Sequence, residues 1–189
     1  MLAQSKTVER PLPGGYPARM LKLRPLRLSD EAEFRAAHAA MEESDGFPFG
    51  LAFEPGTDWE TYVKALEGYR AGIDLPERFV PSSFLVAEVD GEIVGRASIR
   101  HQLNDWLKNY GGHIGYCVLP AHRRCGYATE ILRQALIVIR SIGVDRVMVV
   151  CDDDNAGSIA VIEACGGKLE QVLPPPVNAR VGIRHYWFD

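Results

Sequence analysis

A short turn carries the strongest chemical signal in the sequence. Arg123, Arg124 and Cys125 lead into Gly126, Tyr127, Ala128 and Thr129, and an apolar periodicity of helical spacing starts at once behind them. The first amides of a helix lack intrahelical partners, and the aligned peptide dipoles make that end partly positive. Gly126 lets backbone approach a ligand without a Cβ in the way, Ala128 keeps the helix start slim, and Thr129 offers a hydroxyl donor. Those are the parts of a phosphate cradle, with the arginines supplying formal charge. The alternative is that both arginines are simply solvated. Cations at a helix N-terminus are disfavoured by about 0.3 to 1 kcal/mol each, so a missing anion explains them better. The turn has neither G-x-x-x-x-G-K-[ST] nor G-x-G-x-x-G, which sets aside nucleotide-hydrolysing and dinucleotide-binding loops.

The elements around the turn must hold it at the end of a strand. "LKLRPL" alternates as a short strand, and "SDEAEFRAAHAAMEE" follows as a helix with Asp30 and Glu33 in capping-box spacing. "TDWETYVKALEGYR" reads as a second helix opening on a Thr57–Glu60 capping box, with Trp59, Tyr62, Val63, Leu66 and Tyr69 on one face as core or pocket wall. "SSFLVAEV" and "IVGRASIRH" form a hairpin about Asp90-Gly91, and "HIGYCVL" is a further strand ended by Pro120. A helix from Ala128 to about Ile142, the strand "RVMVVC", a helix from about Asn155 to Cys165 stopped by Gly166-Gly167, and strands at "KLEQVL" and "RVGIRHYWF" complete the chain. This order predicts one domain over residues 20–189, a mixed sheet with helices on its faces. Residues 1–19 show neither period and are expected to form a flexible extension.

The turn resembles the acyl-CoA signature [QR]-x-x-G-x-[GA] of the GCN5-related N-acetyltransferase (GNAT) family, at Arg123, Gly126 and Ala128. "IGYCVLP" is similar to that family's fourth strand, and "NAGSIAVIEACGG" to its N-x-x-[AS]-I-x-x-x-E-x-x-G block, with Asn155, Ser158, Ile159, Glu163 and Gly166 in step. The run from "YGGHIGY" to "YWF" resembles a bacterial branch of unsettled substrate. The resemblance implies an α+β fold: a central, mostly antiparallel seven-stranded sheet with a splayed parallel strand pair and helices on both faces. It implies acetyl-CoA as co-substrate and no metal. The pantetheine arm would pair with backbone at Tyr116, Cys117 and Val118, and the pyrophosphate would sit on amides from Arg124 to Thr129 near Arg123. Asn155 and Ser158 would lie beside the arm. The implied reaction is direct acetyl transfer, in a ternary complex, to a primary amine of a small molecule or peptide.

Such transfer needs a neutral amine. A lysine-like amine of pKa about 10.4 is neutral about once in 2,500 molecules at pH 7, a penalty of about 4.6 kcal/mol, whereas an α-amine near 8 loses about 1.4. His113 is a candidate base through its neutral-range pKa, or else a satisfied polar residue at a strand edge. Many family members place a tyrosine seven residues after the motif asparagine to protonate the departing thiolate; here that position is Ile162. Ser158 is the replacement candidate, or a local backbone partner. Glu42, Glu43 and Asp45, at the end of the first helix where the family builds its acceptor pocket, are either attractors of a cationic amine or a solvated helix end. Phe47, Phe49, Phe53 and Trp106 either wall that pocket or fill the core. Cys117 and Cys151 are expected to be buried structural thiols. Asp152, Asp153 and Asp154 alternate faces along a strand and cannot converge on a cation.

Composition bounds the rest. At 189 residues, with 47% hydrophobic residues and a net charge of −4, the chain is a globular domain without a basic field for nucleic acid. His122, Arg123 and Arg124 are too few for that role. Four cysteines without a C-x-x-C pair, and no long apolar segment, point to the cytoplasm and no membrane; a small-molecule or peptide amine partner is what the resemblance implies. A homodimer is compatible with this reading. Ile162 keeps one alternative open, a non-catalytic acyl-CoA-binding or sensing module.

Overall fold

The computed structural model describes residues 21–175 and 180–189. The extension expected over 1–19, and Met20 as the start of the domain, lie outside the described residues. The described chain contains seven strands: β1 Lys22–Arg24, β2 Ser82–Val89, β3 Glu92–Arg100, β4 Ile114–Val118, β5 Val147–Asp152, β6 Lys168–Leu173 and β7 Ile183–Phe188. Four helices accompany them: α1 Glu31–Asp45, α2 Trp59–Ala71, α3 Tyr127–Ser141 and α4 Ala156–Ala164. Among the described residues the strands form two antiparallel sheets, β1-β2-β3-β4 and β5-β7-β6. The fold is α+β as expected, with the sheet divided between β4 and β5.

Each face of β2–β4 is covered by one helix pair, because alternate side chains leave a strand in opposite directions. Ala97, Ile99, Ile114 and Val118 pack with Ile131, Leu132, Ala135 and Ile139 of α3 and with Ile162 of α4. Phe84 and Val86 pack the other way, against Phe34, Phe49, Trp59 and Tyr62 beneath α1 and α2. The hairpin turns at Asp90 and Gly91, both with positive φ (51° and 89°), the geometry a two-residue turn between twisted strands demands.

Both predicted capping boxes are replaced. The Asp30 carboxylate accepts from the Arg24 guanidinium and the Arg27 amide instead of capping α1, and Glu33 accepts from the Ile93 amide, tying α1 to β3. The cap of α2 is Asp58, which accepts from the Thr61 amide at 2.9 Å, so the start moves one residue past Thr57. Longer-range charge and ladder partners outcompete the local box in the first case, and in the second the Asp58 carboxylate, a stronger N-cap acceptor than a threonine hydroxyl, takes the cap. The segment before β4 contains a π turn, Leu107–Gly111.

Candidate cofactor and acceptor site

The division of the sheet is set at one rung. The amide of His113 donates to the Met148 carbonyl at 2.7 Å, and the Met148 amide donates back to His113 Nδ1 at 2.9 Å. His113 precedes β4 and Met148 is the second residue of β5, so the strands run in the same direction and meet at their starts. No ladder pair joins them farther on among the described residues. The neighbouring Gly112 is required by this approach: its φ is +61°, and an added Cβ would lie 2.9 Å from the Met148 carbonyl oxygen. The "YGGH" sequence thus closes the apex of a V whose arms open toward the N-termini of α3 and α4.

His113 is 6% exposed, and its pKa is drawn down to about 4, by burial and then by the Arg100 charge. With Nδ1 occupied by the Met148 amide and so low a pKa, the imidazole is a fixed neutral strut. The base expected at this position has no free Nδ1 lone pair to offer. Cys117 and Cys151 are partly buried, and burial raises both thiols, Cys151 to about 11.

The turn before α3 is open. Arg124 (φ 65°) and Gly126 (φ 79°) both adopt left-handed backbone, and Gly126, the residue before the first helical turn, has open space where a Cβ would be. Left-handed residues within a turn ahead of a helix can aim amides outward into an anion-binding concavity. The two arginines divide. Arg123 turns back to donate to the Asp45 carboxylate and the Val118 carbonyl, so its anion is already in the chain. Arg124 is exposed and makes no ion pair or side-chain hydrogen bond among the described residues. The expectation that both arginines lack an anion is therefore corrected for Arg123. Asp45 likewise is not a free attractor of cations, and its pKa is lowered by Ser44 and then by Arg123. Glu43 is exposed on α1, and Cys125 donates its thiol to the Arg123 carbonyl.

Across the V, Asn155 caps α4 through its carbonyl oxygen, accepting from the Ser158 amide at 3.0 Å, which leaves its NH2 free to donate. Glu163 of the same block accepts from the Tyr186 hydroxyl at 3.0 Å and anchors α4 to β7. Ile162 is fully buried in the core. The Tyr116 side chain leaves β4 toward α4, and its buried hydroxyl forms no well-aligned hydrogen bond among the described residues. Burial pushes this hydroxyl up to about 12, while the Ser158 side chain close by acts in the opposite direction. Sequence reasoning used Tyr116 only for its backbone; its side chain brings a tyrosine hydroxyl beside Ser158 from the opposite wall.

The other face of β3 holds residues that the sequence reading missed. Arg96, Ser98 and Arg100 alternate on the side of α1 and α2, beside Cys117, Gly115 and His113 of the β4 segment. The signal was a polar residue at every second position of "GRASIR", where a buried hairpin strand should be apolar. Phe49 and Phe53 are core, whereas Phe47 and Trp106 are exposed, Phe47 lying against the Arg96 guanidinium.

Asp153 pairs with Arg184, and among the described residues no group of three or more His, Cys, Asp or Glu side chains is placed to hold a metal ion. Likewise none of their helices is long and apolar enough to cross a membrane.

Comparison with known proteins agrees with this geometry. The structure is similar to YncA, a putative acetyltransferase from Salmonella typhimurium solved with acetyl-CoA, at TM-score 0.63 and 16% identity over 90% of this chain and 94% of that one. It is similar to Mycobacterium smegmatis RimJ in complex with CoA-disulfide, at TM-score 0.63 and 23% identity over 91% and 83% of the two chains. RimL, a ribosomal L7/L12 α-N-protein acetyltransferase in complex with coenzyme A, aligns at TM-score 0.62 and 19% identity over 90% and 94%. No match was found among curated proteins. The sequence model of the Acetyltransferase (GNAT) family matches residues 39–166, more than half of the chain. With the V between β4 and β5, the open turn before α3 and the capped start of α4 in sequence order, the chain belongs to the GNAT acetyltransferase family.

Proposed function

We propose that this protein transfers an acetyl group from acetyl-CoA to a primary amine of a small molecule or peptide. The observation that carries the reading is the V held at His113–Met148, whose arms end in the left-handed turn at Arg124 and Gly126 and in the Asn155 cap. The amides opening α3, with Arg124, would bind the diphosphate. Backbone at Tyr116 to Val118 would pair with the pantetheine arm, and the Asn155 NH2 would donate to it. Acetyl-CoA supplies an activated thioester carbonyl. The acceptor nitrogen forms a bond to that carbon, the C–S bond breaks, the electron pair leaves on sulfur, and the ammonium proton passes to solvent or a second acceptor molecule. A β4 amide near Val118 is positioned to stabilise charge on the carbonyl oxygen.

Tyr116 and Ser158 supply the hydroxyls for the departing sulfur. With its pKa near 12, Tyr116 stays protonated at neutral pH. Full transfer of its proton to a thiolate of ordinary pKa, about 8.5, would be uphill by about 5 kcal/mol. Its role is therefore hydrogen-bond donation to the developing thiolate, the proton following from solvent. Without an imidazole base, the chemistry favours acceptors of low pKa, such as α-amines.

The buried Ile162 favours a second reading, a module that binds acyl-CoA without turnover. Thiol release from acetyl-CoA across a panel of amines, together with calorimetric titration of CoA, tests the two. Release with any amine supports the transferase; tight CoA binding with no release supports the module; neither binding nor release refutes both.

A further inference from the structure

The acceptor face of the sheet carries buried positive charge without a counter-ion. Arg96 is 6% exposed and Arg100 is partly buried, and neither forms an ion pair among the described residues. A charge withdrawn from water is costly unless hydrogen bonds or an opposite charge compensate it. For Arg96 the compensation is internal: its guanidinium donates to the carbonyls of Phe49 at 3.1 Å, Gly115 at 3.2 Å and Pro48 at 3.5 Å, and lies over the Phe47 ring. Arg96 is a strut between β4 and the loop after α1.

Arg100 is different. Among the described residues its single side-chain hydrogen bond is a long one, 3.3 Å to the Gly111 carbonyl, which leaves most of its five N–H donors unused there. Its guanidinium lies across Gly115 of β4, with Nη1 3.0 Å from where a Cβ would stand. Ser98 is the register partner of Gly115 and projects from the same face of β3, two residues before Arg100. It is 2% exposed, and its hydroxyl has no hydrogen-bond partner among the described residues. A planar cation with spare donors and an unsatisfied buried hydroxyl thus converge over one glycine. That glycine sits one residue before the Tyr116 to Val118 backbone, on the side away from α3 and α4.

We infer that Arg100 and Ser98 form a subsite for an oxyacid group, carboxylate or phosphate, carried by the acceptor amine. This deepens the proposed function and rests on it for the word acceptor. A bidentate guanidinium contact with one further hydroxyl donor matches the lone-pair geometry of such a group. Burial and the Arg96 charge together pull the Arg100 pKa down to about 10, so an incoming anion meets a cation still charged at neutral pH and short of partners. The enzyme would accordingly select amines that are also acids, such as amino acids or phosphorylated amines, over plain amines of the same size.

Calorimetric titration of matched pairs decides this, with and without saturating CoA: free amino acids beside their carboxamides, and phosphoethanolamine beside ethanolamine. The acid member of at least one pair should bind about tenfold or more tightly than its neutral twin, the loss that accompanies removal of a charge-assisted contact. A carboxylate pair or the phosphate pair showing the effect says which acid the subsite takes. Arg100→Gln should reduce that preference below about threefold, Arg100→Lys should keep part of it, and Ser98→Ala should weaken it with an unchanged CoA affinity. Equal binding of both members of every pair, no binding by any of them, or a full preference surviving in Arg100→Gln overturns the subsite. Should Arg100→Gln fail to fold, the wild-type pairs and Ser98→Ala still decide. Thiol release in the same samples keeps the two readings apart. Acid-selective binding without release sinks the transferase and leaves the subsite, whereas release with plain amines alone does the reverse.

Discussion

His113 Nδ1 accepts the Met148 amide at 2.9 Å, so a side chain takes the place of a main-chain carbonyl in the rung between the two arms of the V. An imidazole can accept this bond only while neutral. The folded pKa near 4 lies below the ordinary value of 6.5, so the unfolded chain takes up the proton first as pH falls. The stabilisation is fully present above pH 6.5 and is lost between about 6.5 and 4. Urea unfolding midpoints should fall across that window. His113→Asn, which keeps an acceptor at the same reach but cannot titrate, should flatten the dependence; an undiminished slope would remove His113 from the account.

Tyr116→Phe and Ser158→Ala should each lower kcat by about tenfold or more, with KM for acetyl-CoA changed by less than about twofold. Two hydroxyls serving one sulfur should be non-additive, the double variant losing less than the product of the singles. Steady-state kinetics on the three variants measures this. Unchanged kcat in Tyr116→Phe would leave the thiolate to Ser158 and solvent.

Arg124→Ala should weaken CoA binding several-fold, and the loss should shrink as salt is raised, since the contact is exposed and ionic. Arg123→Ala should have a smaller effect on CoA and cost about 0.2 to 1 kcal/mol of stability, the range of an exposed ion pair, because its partner is Asp45. CoA titrations at two ionic strengths separate the arginines. Equal losses in both would mean that Arg123 leaves Asp45 when the diphosphate arrives.

Gly112→Ala and Gly46→Ala contrast two glycines that share φ +61° but differ in ψ, 26° at Gly46 and −174° at Gly112, the latter a region that glycine alone occupies readily. Nothing lies within 4 Å of a Cβ at Gly46, whereas at Gly112 it would meet the Met148 carbonyl oxygen at 2.9 Å. Gly46→Ala should cost about 1 kcal/mol of left-handed strain, and Gly112→Ala clearly more, together with weaker CoA binding as the apex is forced apart. Chemical denaturation and CoA titration read both. Equal costs would show that the apex yields freely.

Several features were legible in the sequence because their causes are local. Period-two and period-3.6 patterns located the strands and helices, α3 and α4 to within a residue at each end. The Asp90-Gly91 turn followed from residue chemistry, and the resemblance in the Arg123 and Asn155 blocks named the family. The misread features had distant partners. Asp30 looked like a cap until Arg24 of β1 reached it, and Arg123 looked like a cation without an anion until α1 delivered Asp45 to it. His113, at a strand edge in sequence, became a strut when β5 arrived 35 residues later.

The sequence by itself determined the elements, the glycines that permit the turns and the backbone cradle for an anion, since each depends on neighbours within a few residues. Only the tertiary structure decided which charges were already neutralised, that the Tyr116 hydroxyl lies beside Ser158, and that Arg100 and Ser98 share one face of β3 without an ion pair among the described residues. Those properties depend on what lies across a gap between two sheets, and distance in space is the quantity a linear pattern does not carry.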